Sequence, residues 1–163
     1  MATTLRNATL KVTIKEEITL NGNRQDSENI LRISDINETV KRVVTSTTTE
    51  VGLIGFVDAL SSIGSVGYLA GMFDSDDVRY MRITNLDDTN HIVLTFKSTN
   101  SHEFAIKVDA GHSFIYPGDN SGGFDSTMDA SASALTLALE NLVDVTVDAD
   151  TASCDVEVFV ASK

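Results

Sequence analysis

Residues 91–109 read His91-Ile92-Val93-Leu94-Thr95-Phe96-Lys97-Ser98-Thr99-Asn100-Ser101-His102-Glu103-Phe104-Ala105-Ile106-Lys107-Val108-Asp109. Apolar side chains fall on even positions in both halves: Ile92, Leu94 and Phe96, then Phe104, Ile106 and Val108. Alternation at period two is the mark of a strand with one buried face. A slip of one residue would turn every side chain over, so even positions must meet even positions. The predicted hairpin therefore sets Phe96 opposite Phe104, Leu94 opposite Ile106 and Ile92 opposite Val108. Position 98 then faces 102, leaving Thr99-Asn100-Ser101 as a three-residue loop, a common hairpin length.

The same period extends in both directions. Leu10, Val12, Ile14, Ile18 and Leu20 share a parity, and Asn21-Gly22-Asn23 turns the chain. Further strands are predicted at 28–34, 39–47, 77–84, 112–116, 142–148 and 154–161. Val143, Val145 and Val147 match Val160, Val158 and Val156 in parity, so a second hairpin is expected through the polar run 149–154. Leu53, Phe56, Val57 and Leu60 form a helical stripe, but Gly52, Gly55, Gly64, Gly67 and Gly71 argue against a long helix there. Leu135 to Leu142 fits either period. So many short strands indicate an all-β antiparallel β-sandwich, jelly-roll-like, with at most a short helix. The 163 residues, 17.5 kDa, suit one such domain at 9–163 behind a flexible N-terminal arm at 1–8.

Charge narrows the function classes. Twelve basic residues against 24 acidic ones give a net charge of −12, which repels phosphate backbones, so no nucleic-acid partner is expected. No apolar run approaches the roughly 20 residues of a membrane span. Met1 to Asn7 shows no basic-then-apolar pattern, so neither a membrane partner nor a targeting signal is expected. Residues 1–50 carry seven basic and seven acidic residues; the remainder carries the whole −12.

Residues able to do chemistry are few and scattered. In the derived register His102 sits at the loop end opposite Ser98, while His91 lies seven residues from that position on the other face. That span is roughly 23 Å of strand, too far to share one ion. His112 stands alone in a strand, where a structural role is expected. Cys154, the one cysteine, shares parity with Val156 and Val158, so its thiol should point into the core and be inert. Asp144, Thr146 and Asp148 should lie outside the valine face beside Asp155 and Glu157, with Asp148 opposite Asp155. That like-charge pair invites calcium, but six or more oxygens would have to converge. A hydrated face with no specific metal is the expectation. Asp74-Ser75-Asp76-Asp77 lacks the glycine and glutamate of a calcium loop and reads as a turn leading a strand. Pro117-Gly118-Asp119-Asn120-Ser121-Gly122-Gly123 lacks the lysine and helix start of a phosphate cradle. No cofactor and no catalytic residue is predicted.

Three stretches carry a resemblance. Val78-Arg79-Tyr80-Met81-Arg82-Ile83-Thr84-Asn85-Leu86-Asp87-Asp88-Thr89-Asn90 is similar to a strand and turn of the form YxRItNlDxtN. Ala110-Gly111-His112-Ser113-Phe114-Ile115-Tyr116 and Ala152 to Ala161 resemble the strands that follow it. Over residues 77–163 the chain resembles small β-sandwich virion proteins of tailed bacteriophages. The resemblance implies a non-enzymatic virion component, assembled in the host cytoplasm: a capsid decoration (cement) protein on the phage major capsid protein, or a tail, neck or fibre component. A homo-oligomer, trimer or dimer, is expected with it. Thr3, Thr4, Leu5, Arg6 and Asn7 are the candidate docking arm, since the acidic remainder would be repelled by an acidic shell. A carbohydrate-binding sandwich is the competing class, but it needs exposed aromatics. Here Trp is absent and Tyr80, Phe96 and Phe104 fall in strand patterns that read as buried.

Overall fold

A computed structural model describes residues 7–56, 69–99, 102–116, 125–126 and 140–163. Its elements are β1 (Ala8–Glu16), β2 (Thr19–Leu20), β3 (Asn23–Arg24), β4 (Ser27–Ile36), β5 (Glu38–Ser46), β6 (Val51–Phe56), β7 (Leu69–Phe73), β8 (Val78–Asn85), β9 (Ile92–Ser98), β10 (Glu103–Val108), β11 (Ser113–Tyr116), β12 (Asp125–Ser126), β13 (Glu140–Ala149) and β14 (Cys154–Ser162). Two sheets pack face to face. Sheet 1 runs β10-β9-β13-β6-β7, with β12 on the end of β13; sheet 2 runs β11-β8-β14-β5. The pairs are antiparallel except β6 with β7, which is parallel. The β6 sequence Val51-Gly52-Leu53-Ile54-Gly55-Phe56 is a continuous apolar run with both faces buried, as a parallel-paired interior strand requires. Val57 and Leu60 of the helical stripe lie outside the described residues, as do the 117–123 loop and residues 135–139.

The β9–β10 hairpin has the register derived from its parity: Phe104 opposite Phe96, Ile106 opposite Leu94 and Val108 opposite Ile92. Ser98 N donates to His102 O at 2.9 Å, closing the loop end. Phe96 stacks on Phe104 at 4.5 Å and meets Phe114 of sheet 2 at 4.8 Å, so one ring joins the hairpin to the opposite layer. The Asp74–Asp77 stretch is one turn of 3₁₀ helix directly before β8, with the Asp74 carboxylate accepting from Asp76 N at 3.0 Å.

The second expected hairpin does not form. β13 lies between β9 and β6 in sheet 1, and β14 lies between β8 and β5 in sheet 2. Residues 150–153 carry the chain across from one layer to the other. Val145 and Val147 meet Val156, Val158 and Val160 across the core, all fully buried, where side-by-side pairing was expected. Parity identifies the apolar face of a strand, and two strands facing each other across a core satisfy the same match as two neighbours. Val143 is no core partner of Val160. It is the bulged residue between Leu142 and Asp144, and this extra residue lets Leu142 and Val145 face the same way. Asp148 therefore sits opposite Val93, and Asp155 opposite Thr45, whose hydroxyl donates to it at 2.8 Å. Asp144, Thr146 and Asp148 line the outside of sheet 1. Asp155 and Glu157 are on the far side of the molecule.

Candidate docking surface

A third layer lies on the outside of sheet 2, built by the β1–β4 hairpin. Asn21 and Gly22 both take positive φ, 50° and 81°, the two-residue turn whose twist suits a hairpin. Leu10, Val12 and Ile14 alternate toward the sheet and are half-buried. On β4, Ile33 and Ile36 are both buried although three apart, which a regular strand forbids. The cause is a bulge: Leu10 pairs with Ile33 and Ala8 with Ile36, and Asp35 turns left-handed at φ 60°. Aspartate tolerates that conformation better than most side chains, and Asn7 Nδ2 holds its carboxylate at 3.2 Å. Ile33, Ile36, Leu10 and Val12 close over Tyr80, Phe159 and Ala161, with Tyr80 and Phe159 meeting edge to face at 5.8 Å.

Beyond this anchor the hairpin stands free. Every residue from Lys15 to Ile30 is exposed, including Ile18 (52%), Leu20 (53%) and Ile30 (42%). Arg24 pairs with Glu17 and Asp26, and Lys15 with Glu17, but such exposed pairs contribute little.

The hairpin covers only part of the outer face of sheet 2. One row of that face runs Ile115, Arg82, Phe159, Lys41 across the four strands. Glu157 in the next row takes Lys41 Nζ at 2.9 Å and Arg82 Nη2 on its other oxygen. The Lys41 hydrogen bond, helped by Arg82, holds the Glu157 carboxyl below the usual carboxylate range. Between the hairpin and this face opens a cleft of about 410 Å³. One wall is five consecutive residues of β1, Leu10 to Ile14; Ser113 and Ile115 of β11 stand opposite, over a floor of Tyr80, Arg82 and Phe159. A strand that lines a cleft with both parities presents its edge.

The sequence-predicted candidates scatter. Thr3, Thr4, Leu5 and Arg6 lie outside the described residues, and Asn7 is exposed on its Asp35 contact. Each histidine has its own partner: His102 Nδ1 lies 3.0 Å from Glu140, His91 Nδ1 3.5 Å from Asp150, and His112 Nδ1 2.8 Å from the Ala110 carbonyl. Cys154 is fully buried and free, and burial pushes its thiol above the ordinary range. The resemblance-bearing turn is a hydrogen-bond assembly. Asn85, fully buried, donates to the carbonyls of Asn90 (2.8 Å) and Val108 (3.2 Å) and accepts from Asp87 N (3.0 Å). The Asp87 carboxylate accepts from the backbone of Asn90 and Thr89, and those bonds lower its pKa. These residues shape a loop, and none of them lines the cleft.

Burial raises the carboxyl pKa of both Asp148 and Asp144, and Asp144 is the more deeply buried of the two. It is 5% exposed on the outer side of sheet 1, and burial raises its carboxyl pKa against the opposing pull of Lys97. A carboxyl whose folded pKa is raised costs stability above that pKa, and the cost vanishes below the unfolded value. Asp144→Asn should therefore raise the melting temperature near pH 8, the gap closing as pH falls toward about 4. A gap that ignores pH, or an asparagine variant less stable at neutral pH, would refute this.

Tyr80 and Arg82, Ser113 and Ile115, and Phe159 fall in three separate resemblance-bearing stretches, and nothing in the sequence marked them as parts of one site. Tyr80, Arg82 and Phe159 sit at ordinary outward positions, and their shared cover depends on a bulge thirty or more residues away in the chain. Comparison with protein families, with characterised proteins and with solved structures returned no match.

Proposed function

We propose that this chain is a non-enzymatic structural component of a tailed-bacteriophage particle: a capsid decoration protein that binds the major capsid protein as a homo-oligomer. The observation that carries the reading is the free hairpin. A two-stranded hairpin exposed on both faces is marginal in water unless something packs on it. Residues 15–30 also keep Ile18, Leu20 and Ile30 in solvent, which suits an arm that reaches a larger surface. The resemblance of residues 77–163 to virion sandwiches supports the same reading. Symmetric repetition is the common way for a small chain to tile a shell.

The test is mass spectrometry of purified particles from a phage that encodes the chain. Decoration is expected to give a copy number comparable to that of the major capsid protein. A few copies per particle would move the protein to the tail, neck or fibre, and absence from particles would reject the reading.

A further inference from the structure

The cleft between β1 and β11 combines two properties. Among the described residues it is bounded by two strand edges without a neighbour: β1 pairs only with β4, and β11 is the last strand of sheet 2. Edges of this kind present unpaired backbone donors and acceptors to a further strand. Its charge is also opposite to that of the molecule. In a chain of net −12, Lys11 and Arg82 line the cleft and no carboxylate does. Lys11 stands directly across β1–β4 from Arg32, a like-charge pairing that destabilises a ladder. Among the described residues neither cation has an ion-pair partner, while Lys15, Arg24, Lys41, Arg82, Lys97 and Lys107 all have one.

We propose that this cleft receives an extended, acidic segment of a partner protein, which adds a strand at the free edge of β1 and sets carboxylates against Lys11 and Arg32. Backbone pairing along Leu10–Ile14 would supply affinity, and alternate apolar side chains would fill the space over Tyr80, Phe159 and Ile115. Charge complementarity would select the partner and speed its encounter. A second copy of this chain is the poorer occupant. Among the described residues its edge strands β1, β4, β5 and β10 each carry a cation beside their carboxylates, and β7 and β11 carry no charge, so none offers the purely acidic strand that Lys11 and Arg32 would select. The inference stands on the cleft alone and is independent of the particle reading. A peptide bound by a protein that purified virions lack would separate the two.

The full chain contains no tryptophan, so a fluorescein-labelled or tryptophan-bearing probe reports without background. The probe is a peptide alternating valine and glutamate, matched to β1 in length. Expected results are saturable binding that weakens as salt rises, and backbone amide shifts confined to Leu10–Ile14 and Ser113–Ile115. Lys11→Glu, at an exposed site without a partner, should weaken binding about tenfold or more while leaving the melting curve in place. Two counter-probes separate the components. A valine–lysine peptide should not bind, and the valine–glutamate peptide N-methylated at alternate residues should lose most of its affinity. Equal binding by the lysine peptide, an unaffected Lys11→Glu variant, or full affinity of the N-methylated probe would overturn the proposal. So would sedimentation showing that the edge is occupied by a dimer the peptide cannot displace.

Discussion

Leu94→Asp is expected to abolish the folded state at neutral pH. Leu94 is fully buried at the middle of β9, between Ile106 on β10 and Val147 on β13. Its side chain contributes roughly 2 kcal/mol by burial. An aspartate there must stay neutral to remain in the core, and holding a carboxyl protonated at pH 7 costs about 4 kcal/mol. The sum, about 6 kcal/mol, is comparable to the whole stability of a typical domain, about 5–15 kcal/mol. Folded aspartic acid has a raised pKa, so the penalty should shrink as pH falls toward the unfolded value of about 4. Circular dichroism and a urea midpoint across pH give the measurement. A variant that stays folded at pH 7 with a midpoint near that of the parent would show that Leu94 is not in the core.

Asn85→Ala ranks second. Its side chain joins three pieces of backbone: the carbonyl of Asn90, the carbonyl of Val108 and the amide of Asp87. Its main chain adds bonds to His112 and Gly111. Alanine keeps the main-chain bonds and strands the other three groups. Buried groups left without a partner cost about 1–3 kcal/mol each, and loop relaxation admits water to some of them, so a loss of about 3 kcal/mol is expected. The urea midpoint should fall with little change in slope, and the Asp87 amide should exchange faster. A loss under about 1 kcal/mol would mean that the two loops hold their shape without the amide.

Much of the sandwich was legible because its strands obey simple parity. The 91–109 hairpin could be registered residue by residue, since both halves alternate without interruption and the loop is short. The Asn21-Gly22 turn was legible for the same reason: few residue pairs accept two positive φ values in succession. What parity cannot carry is which strand lies beside which. Val145 and Val158 fit equally as neighbours in one sheet and as partners across the core, and the four-residue connection allowed either. Bulges were invisible for a related reason. At Val143 and Asp35 one extra residue shifts the pattern, and the sequence around each reads as a break in periodicity. The cleft depends on the second of these bulges and on the outer face of a sheet whose order was unknown. No single stretch of sequence could have announced it.

The crossing at residues 150–153 bears on how the protein can be made. β13 and β14 are interior strands of their respective sheets, each with a neighbour on both sides. Every other described strand of the sandwich precedes them in the chain. During synthesis, β9–β10 and β6–β7 emerge with a gap between them where β13 belongs, and β8–β11 emerge apart from β5 for want of β14. Hairpins can form early, but neither layer closes until residues 140–162 have left the ribosome. Until then the nascent chain shows unpaired interior edges and an uncovered apolar face, the features that draw chaperones and promote mispairing. Closure then joins strands far apart in sequence, the kind of pairing that folds slowly. A ribosome paused ahead of codon 140 would hold a chain in which most of the strands exist and no sandwich does.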